Sequence, residues 1–402
     1  MNQYIARQPI FNAHKKLYAY ELLYRGTDTR SLADVSGEQA TASLLSSAFL
    51  TKEIDDISSH RPCFVNFTQK LLERNLPVAF PKAKIVVEIL EDVEPTSKVL
   101  AICRDLHDKG YTLALDDFVY HRRFEPFLEI ANIVKIDVRL TPLGTLTRTL
   151  NLLSRHKVKL LAEKVESQKE FERASKLGFS YFQGYFFCKP ERIGIKELST
   201  AKVTLIRLLA EIAKKSTSIE RLRAIISTDV AITYKLMRFM NSAYFYRLQK
   251  VKSVEHAVAF LGEKELRRFL MLLVISELST EKPDELVTLV LVRAKLCELL
   301  GEKCGFSANE VSELFVMGLF SLLDAMLDSS MKDVVGRLPL SDTLKDALLH
   351  RKNVYANFLN IAIAFERNQQ SRVSDLHARL GLDQEQVQES YFEAVKYANH
   401  LL

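Results

Sequence analysis

Acidic and amide side chains follow successive apolar runs in the first half of the 402-residue sequence. Asp116 and Asp117 come directly after the run Thr112 to Leu115. The full set at these ends is Glu21, Asn66, Glu88, Asp116, Asp117, Asp137, Glu163 and Gln183. Carboxylate and amide oxygens suit Mg²⁺ or Mn²⁺ rather than Zn²⁺. The pattern predicts a divalent-metal site, because a bound cation would offset the repulsion among so many carboxylates.

A single carboxylate after a strand has a simpler explanation, since such residues commonly cap a helix or lie in solvent. That explanation weakens when successive runs end in oxygen ligands, and the adjacent pair Asp116-Asp117 is the sharpest case. Lys135 also has two interpretations. It forms an ordinary ion pair inside the fold, or it orders an attacking water and stabilises developing phosphate charge.

The apolar runs alternate with amphipathic helical patterns such as Ser97 to Lys109 and Gln168 to Leu177. This alternation predicts parallel strands joined by crossover helices, and the number of runs favours a closed, TIM-like (β/α) barrel. The carboxyl ends of the strands of such a barrel converge on one mouth, where catalytic groups lie. The strand-like runs are Leu17 to Tyr20, Pro62 to Phe67, Ile85 to Leu90, Thr112 to Leu115, Ile133 to Ile136, Lys159 to Ala162 and one that ends at Tyr181-Phe182.

Strand signals stop near Ile195, and the remaining sequence predicts helix after helix. Apolar residues recur there at the three- and four-residue spacing of amphipathic helices. The length of the chain also favours two cores over one. We therefore predict an α/β barrel over residues 1–195 and an all-α domain over residues 196–402, with the boundary after Cys188-Lys189-Pro190.

Composition excludes several other classes of protein. Apolar residues make up 48% and charged residues 26%, which is typical of a soluble globular protein. The sequence has no apolar run near the roughly 20 residues that span a membrane and no signal-peptide pattern, so we expect a cytoplasmic location. Five scattered cysteines predict neither disulfides nor a zinc site. A net charge of +6 does not predict nucleic-acid binding.

The order and spacing of the motifs resemble those of the EAL-domain cyclic di-GMP phosphodiesterases, from about Tyr4 to Pro190. Glu21-Leu22-Leu23 stands where this family has its signature Glu-Ala-Leu. The other matching segments are Gln8-Pro9-Ile10, Phe64-Val65-Asn66, Glu88-Ile89-Leu90-Glu91, Asp116-Asp117-Phe118, Lys135-Ile136-Asp137, Ala162-Glu163-Lys164-Val165-Glu166 and Gln183-Gly184-Tyr185. The family has Gly at the position of Lys164.

The resemblance implies two bound metal ions, Mg²⁺ or Mn²⁺, that grip the phosphodiester of cyclic di-GMP. Two metals stabilise both the attacking and the leaving oxygen of such a hydrolysis, and the product would be linear pGpG. The implied metal ligands are Glu21, Asn66, Glu88 and Asp116, with Asp117 bridging to the second ion.

The resemblance also implies roles for residues beside the metals. Lys135 would position the attacking water, and Glu163 would contact that water or act as the base; with Glu21 these form the catalytic set. Substrate-binding roles fall to Gln8, Arg25 and Gln183, with Arg25 holding a phosphate.

One loop departs from the family pattern. After Asp-Asp-Phe the family has Gly-Thr-Gly, whereas this chain has Val119 to Phe124, although the implied loop anchor Glu91 is present. Val119 and Tyr120 cannot readily take positive φ angles, so the loop must follow another path. The basic stretch His121 to Arg123 also brings positive charge towards a cation site. We therefore expect weakly held metal, with Mn²⁺ favoured over Mg²⁺ because Mg²⁺ demands stricter octahedral geometry.

The helical half resembles the HDOD domain, an all-helical relative of the His-Asp metal phosphohydrolases. The resemblance rests on the segments Ile226 to Val230, Leu236 to Phe245 and Val251 to Gly262. Where a phosphohydrolase would carry His-Asp, this chain reads Gly318 to Leu322 without such a pair. The resemblance therefore implies a binding and regulatory module without chemistry of its own.

These observations favour a metal-dependent cyclic di-GMP phosphodiesterase. We expect its HDOD domain to bind an unknown signalling protein, and a homodimer is compatible with the sequence. The altered loop keeps a second hypothesis open, in which the chain is a non-catalytic cyclic di-GMP receptor or a protein scaffold. Nucleic-acid binding through Lys264 to Arg268 is disfavoured, because exposed Lys and Arg usually just solvate a helix. We expect neither a nucleic-acid partner nor a membrane.

Overall fold

The computed structural model describes residues 4–25, 53–189, 200–214, 217–227, 230–240 and 253–401. The chain divides into two compact units, each made of two stretches of sequence. Unit 1 consists of Met1–Phe187 and Ala364–Ser374, and unit 2 consists of Cys188–Ile363 and Asp375–Leu402. The domain boundary predicted near residue 195 lies outside the described residues.

Eight strands close into a barrel in unit 1, and they neighbour one another in chain order. Every neighbouring pair from the second strand to the eighth is parallel, which confirms the (β/α) barrel expected from the sequence. The strands are β1 Tyr4–Asn12, β2 Leu17–Arg25, β3 Cys63–Phe67, β4 Ile85–Ile89, β5 Thr112–Leu115, β6 Ile133–Asp137, β7 Lys159–Glu163 and β8 Tyr181–Gln183.

Strand β1 differs from this arrangement because it runs antiparallel to both β2 and β8. The alternation of strands and helices did not predict this orientation. Only residues 13–16 join β1 to β2, whereas a parallel connection needs about a dozen residues or more. The short turn therefore forces a hairpin, and β2 stays paired with β1 as far as Arg25. Glu21 consequently lies in the middle of β2, and its predicted position at a strand end was wrong.

Short helices follow most of the strands, and side-chain caps fix where several of them begin. The Thr96 hydroxyl accepts a hydrogen bond from the Val99 amide at 3.2 Å, and Ser167 forms a capping box with Glu170. Such caps satisfy amides that lack a partner in the first turn, so the loops after β4 and β7 end at defined positions. The helices are α1 Glu53–Ser58, α2 Gln69–Glu73, α3 Ser97–Asp108, α4 Glu125–Leu128, α5 Thr147–Leu153 and α6 Gln168–Lys176.

The interior of the barrel is filled by one buried apolar side chain from each strand. This apolar layer consists of Ile10, Ala19, Phe64, Val86, Ala114, Ile133, Leu161 and Tyr181. Because side chains alternate between the two faces of a strand, a residue two positions along also points into the barrel. The apolar layer therefore determines which residue of each strand lies above it at the mouth.

Helices make up the rest of the described chain, which confirms the all-α second half. Helix α11 is buried along most of its length and packs against α12 and α18, while α10 packs against α7, α8 and α9. No helix among the described residues is long and apolar enough to span a membrane. The helices are α7 Thr200–Ala213, α8 Ile219–Ser227, α9 Val230–Met240, α10 Val254–Leu278, α11 Asp284–Lys303, α12 Ala308–Phe320, α13 Leu323–Leu327, α14 Met331–Val335, α15 Asp342–His350, α16 Val354–Glu366, α17 Gln370–Arg379 and α18 Gln384–Leu401.

The crossing of α11 and α12 provides a test of this packing. A Cβ at Gly318 would lie 2.5 Å from the Cα of Ala294, so the two helices meet backbone to backbone. We expect Gly318→Ala to lower the free energy of unfolding by more than about 2 kcal/mol, because main-chain atoms cannot move aside. Gly336→Ala is the matched control, since its Cβ would meet its nearest atom at 3.2 Å. Urea unfolding followed by circular dichroism compares them, and equal midpoints would contradict the close crossing.

Candidate active site at the mouth of the barrel

A second layer of inward side chains lies at the mouth of the barrel, and it is polar. From β2 to β8 each member lies two residues after the apolar-layer residue of its strand, and on antiparallel β1 it lies two residues before. Strand pairing aligns neighbouring members, for example Asn66 with Glu88. This polar layer consists of Gln8, Glu21, Asn66, Glu88, Asp116, Lys135, Glu163 and Gln183. The polar layer thus contains all the predicted site residues except two, Asp117 and Arg25. Asp117 directly follows Asp116 in the chain.

Lys135 connects the polar layer through a fully buried ammonium group. Its Nζ lies 2.8 Å from Asp116 Oδ1, 3.0 Å from Glu163 Oε1 and 3.5 Å from Glu21 Oε2, and it also forms a hydrogen bond with Glu88. One positive charge is therefore shared among four carboxylates, with Asp117 close by as a fifth. The ammonium neutralises only part of this negative charge.

Burial and the repulsion of neighbouring carboxylates raise the pKa values of two of these carboxyl groups, Glu163 and Glu88. Burial raises the pKa of Glu163 to about 8; the Lys135 ammonium opposes this rise, and the charges of Asp116 and Glu21 add to it. Burial also holds the pKa of Glu88 well above its usual range. Burial disfavours the charged form of Lys135, but the surrounding carboxylates outweigh it and raise the pKa of the ammonium. The cluster therefore retains protons at neutral pH unless a further cation is bound.

Several oxygen atoms at the mouth are buried without a hydrogen-bond partner. They include Asn66 Oδ1, Glu88 Oε2, Asp117 Oδ1, Glu163 Oε2 and Gln183 Oε1. All are acceptors, so each is satisfied only by a cation or by a donor such as water. Ligand oxygens of Asp116, Asp117 and Glu163 also lie within 4.8 Å of one another. This arrangement of hard oxygen ligands fits a divalent cation of the Mg²⁺ or Mn²⁺ type.

Gln183 links the first two strands to the last one. Its Nε2 donates to Glu21 Oε2 at 2.6 Å and to Gln8 Oε1 at 2.9 Å. Gln8 was predicted to bind substrate, and its side-chain oxygen instead accepts a hydrogen bond from another residue of the layer. Arg25 ends β2, but its side chain lies outside the described residues.

The loop after β5 takes a strained path beside the polar layer. Asp117 adopts a φ of +37°, a conformation that residues other than glycine seldom take. Further along, Tyr120 donates to Glu125 at 2.6 Å, and Arg123 pairs with Glu94 at 2.9 Å. The Arg123 side chain is 49% exposed, so its charge is directed to Glu94 and to solvent. Arg123 belongs to the basic stretch that was expected to oppose metal binding. Its charge is directed away from the carboxylates of the polar layer.

Lys164 is a second cation beside the carboxylates, and our reading of the sequence assigned it no role. Its backbone takes a φ of +56°, in the left-handed region that favours glycine. Its Nζ lies 2.5 Å from Asp137 Oδ2 and 3.8 Å from Asp117 Oδ1. Asp137 thus pairs with Lys164 and not with Lys135. The signal was present in the motif Ala162 to Glu166, where lysine replaces the glycine of the similar family.

The sequence matches the EAL domain over residues 4–190 and the HDOD domain over residues 198–330. It is 36% identical over 401 residues to the cyclic di-GMP phosphodiesterase CdgJ of Vibrio cholerae serotype O1, covering 99% of this chain and 93% of the relative. It is 35% identical over 410 residues to the uncharacterized protein YuxH of Bacillus subtilis (strain 168), covering 100% and 99%.

A solved structure of an EAL protein from Vibrio cholerae O395, with c-di-GMP bound, is 24% identical to this chain. The likeness covers 47% of this chain and 92% of that protein, with a TM-score of 0.38. The two relatives match along nearly their whole lengths, and the two domain matches follow in the same order as the barrel and the helices. The chain therefore belongs to the EAL–HDOD family.

Proposed function

We propose that the protein is a metal-dependent cyclic di-GMP phosphodiesterase that opens the cyclic dinucleotide to linear pGpG. The polar layer carries this proposal, because its buried oxygen acceptors lack donors while a single ammonium offsets several carboxylates. A relative that is 36% identical along almost the whole chain is named for this same activity.

The ligands proposed for the metal are oxygen atoms of the polar layer and of Asp117. Asp116, Asp117 and Glu163 converge closely enough to share one ion, and Glu21, Asn66 and Glu88 complete the set. A bound divalent cation would stabilise negative charge on the attacking and leaving oxygens of the phosphodiester. A second ion at Asp117 would compete with Lys164, whose ammonium lies 3.8 Å from its carboxylate. We therefore propose that one ion binds more firmly than a second.

Lys135 and Glu163 are the side chains proposed to handle the attacking water. The Lys135 ammonium stays charged and is held in place by four carboxylates, so it can orient a water and stabilise developing negative charge. Glu163 Oε2 is a buried acceptor without a donor, so it can accept a hydrogen bond or a proton from that water. Gln183 Oε1 has no donor and is available to a water or to the substrate.

The HDOD domain is proposed to be a binding module without chemistry. Among the described residues, the group of carboxylates suited to a metal lies in the barrel. A signalling partner of the HDOD domain, a homodimer and a cytoplasmic location stay predictions of the sequence.

Turnover by the purified full-length chain tests the proposed function. We expect pGpG to form from cyclic di-GMP with Mn²⁺ or Mg²⁺, as followed by liquid chromatography. Glu21→Ala and Asp116→Ala should each lower kcat at least about a hundredfold, because no neighbour replaces the lost oxygen ligand. Both variants should stay folded, since each relieves repulsion among buried carboxylates. Asp105→Ala on α3 is the matched control, because that carboxylate is 50% exposed.

The absence of pGpG after hours with micromolar wild-type protein would refute the proposed activity. Calorimetry with cyclic di-GMP then decides what remains. Tight binding without turnover would identify a receptor, and no binding would identify a scaffold.

Metal binding should be linked to proton release. Burial raises the pKa of Glu163 to about 8, so this group holds a proton near pH 6 until a cation displaces it. We expect the apparent Mn²⁺ affinity to rise from about pH 6 to about pH 8 and then level off. Calorimetry in buffers of different ionisation enthalpy counts the protons. A pH-independent affinity without proton release would contradict this account.

The same pKa shift acts on the stability of the metal-free protein with a definite sign. Glu163 binds its proton more tightly in the folded state than in the unfolded state, where its pKa is about 4.5. Its contribution to stability is therefore lost as the pH rises from about 4.5 to about 8. Saturating Mn²⁺ should remove this slope in thermal unfolding, because the cation takes the place of the proton.

Lys164→Gly should strengthen metal binding. The change removes a cation 3.8 Å from Asp117 and replaces a strained lysine by the residue that a φ of +56° favours. The wild type should need millimolar metal and prefer Mn²⁺ to Mg²⁺, and the variant should bind Mn²⁺ more tightly by about tenfold. Lys15→Gly is the matched control, because Lys15 has a φ of +57° in the turn between β1 and β2.

Calorimetric titration of both ions into the three proteins measures these affinities. Equal Mn²⁺ affinity in the wild type and in Lys164→Gly would show that Lys164 does not compete for the site. An equal gain in Lys15→Gly would show that relief of backbone strain is the cause.

A further inference from the structure

The end of helix α16 belongs to unit 1, although it lies far along the sequence from the barrel strands. The helix ends at Glu366 with the two hydrogen bonds of a Schellman motif. Gln369 N donates to Ala364 O at 2.8 Å, and Asn368 N donates to Phe365 O at 3.0 Å. Asn368 takes the left-handed φ of +53° that this ending requires. The motif pairs the carbonyls of Ala364 and Phe365, and the carbonyl of Glu366 follows them at the end of the helix.

Gln8 of the polar layer supplies that donor. Its Nε2 lies 3.1 Å from the main-chain oxygen of Glu366, and both residues belong to unit 1. Because a carbonyl only accepts, this contact fixes which end of the Gln8 amide faces the helix. The Gln8 oxygen then faces Gln183, whose Nε2 donates to it at 2.9 Å and to Glu21 Oε2 at 2.6 Å. A directed row of hydrogen bonds therefore runs from the helix end through two amides to Glu21.

A second contact attaches the same segment on the other side of Gln183. The Arg367 guanidinium lies 5.2 Å from the centre of the Tyr185 ring, within the range of a cation–π interaction. Tyr185 follows Gly184, where a Cβ would collide with the main chain of Val165. This tight packing limits the freedom of Tyr185. The segment thus contacts residues on both sides of Gln183, namely Gln8 and Tyr185.

We propose that the end of helix α16, Ala364 to Gln369, supports the catalytic site and that the Glu366 carbonyl is a positioning group for Glu21. The inference rests on the proposed function, because Glu21 is a ligand of the proposed metal. Without the helix end, the Gln8 nitrogen loses its acceptor, and the Gln8 side chain is free to move away from Gln183. Gln183 Nε2 then keeps only its contact with Glu21, so the amide that orients this carboxylate is held less firmly. Gln8 is in this account a positioning residue.

Asn368 allows the helix end to be displaced without a change in the barrel. Asn368→Val puts a β-branched residue at a positive φ, which it tolerates poorly, so the Schellman ending and the Glu366 carbonyl should shift. Asn368→Gly is the matched control, because glycine adopts this conformation freely. Both changes are made in the full chain and again together with Gln8→Ala. The measurements are kcat and KM for cyclic di-GMP at saturating Mn²⁺, and the Mn²⁺ affinity by calorimetry, which needs no turnover.

We expect Asn368→Val to lower kcat and the Mn²⁺ affinity each about tenfold, while Asn368→Gly behaves as the wild type. In the Gln8→Ala background the valine should have no further effect, because the row of hydrogen bonds is already broken. A general loss of folded protein would instead lower kcat by the same factor in both backgrounds, and it would also lower the melting temperature.

Two results would overturn the inference. One is equal kcat and equal Mn²⁺ affinity in the two Asn368 variants, and the other is a valine effect of the same size in both backgrounds. If the wild type shows no turnover, the proposed function fails, and the pattern of Mn²⁺ affinities alone decides whether the helix end positions Glu21.

Discussion

Repulsion among buried carboxylates is the constraint on which the mouth of the barrel depends. Glu21, Glu88, Asp116 and Glu163 all reach the ammonium of Lys135, which carries one positive charge. Burial weakens the screening of these charges, so the remaining negative charge is expensive unless protons or cations offset it. The raised pKa values of Glu163 and Glu88 mean that bound protons offset part of this negative charge. A divalent cation would offset it as well, and protons and the cation would compete for the same oxygen atoms.

The barrel makes this concentration of charge possible because it stacks a polar layer on an apolar one. The apolar layer fills the interior with one side chain from each strand, and the polar layer follows at a spacing of two residues. The packed apolar residues keep water out from below and hold the strands in register. The polar side chains therefore face one another at fixed positions, and oxygen atoms such as Asn66 Oδ1 and Glu88 Oε2 are left without donors. Rigid placement of unsatisfied acceptors is what makes the site receptive to a cation.

Contacts around the polar layer change the surroundings of its oxygen atoms. Lys164 brings a second ammonium to within 3.8 Å of Asp117, at a position where the family pattern has glycine. The loop after Asp117 is held by Arg123 and Glu94, which pair at 2.9 Å. On the opposite side, Gln8 is fixed by the Glu366 carbonyl at 3.1 Å. These neighbours set the charge around the polar layer and the orientation of its side chains.

The sequence by itself predicted the barrel, the helical second half and every member of the polar layer. It could do so because strand alternation, helix periodicity and the order of motifs are local properties of the chain. Only the tertiary structure showed which groups are in contact. Lys135 pairs with four carboxylates, Lys164 lies beside Asp117, and Gln8 donates a hydrogen bond to Glu366. Gln8 and Glu366 stand 358 positions apart, and no local pattern encodes such a contact. It depends on where the closed barrel presents a donor and where a distant helix presents the carbonyls of its last turn.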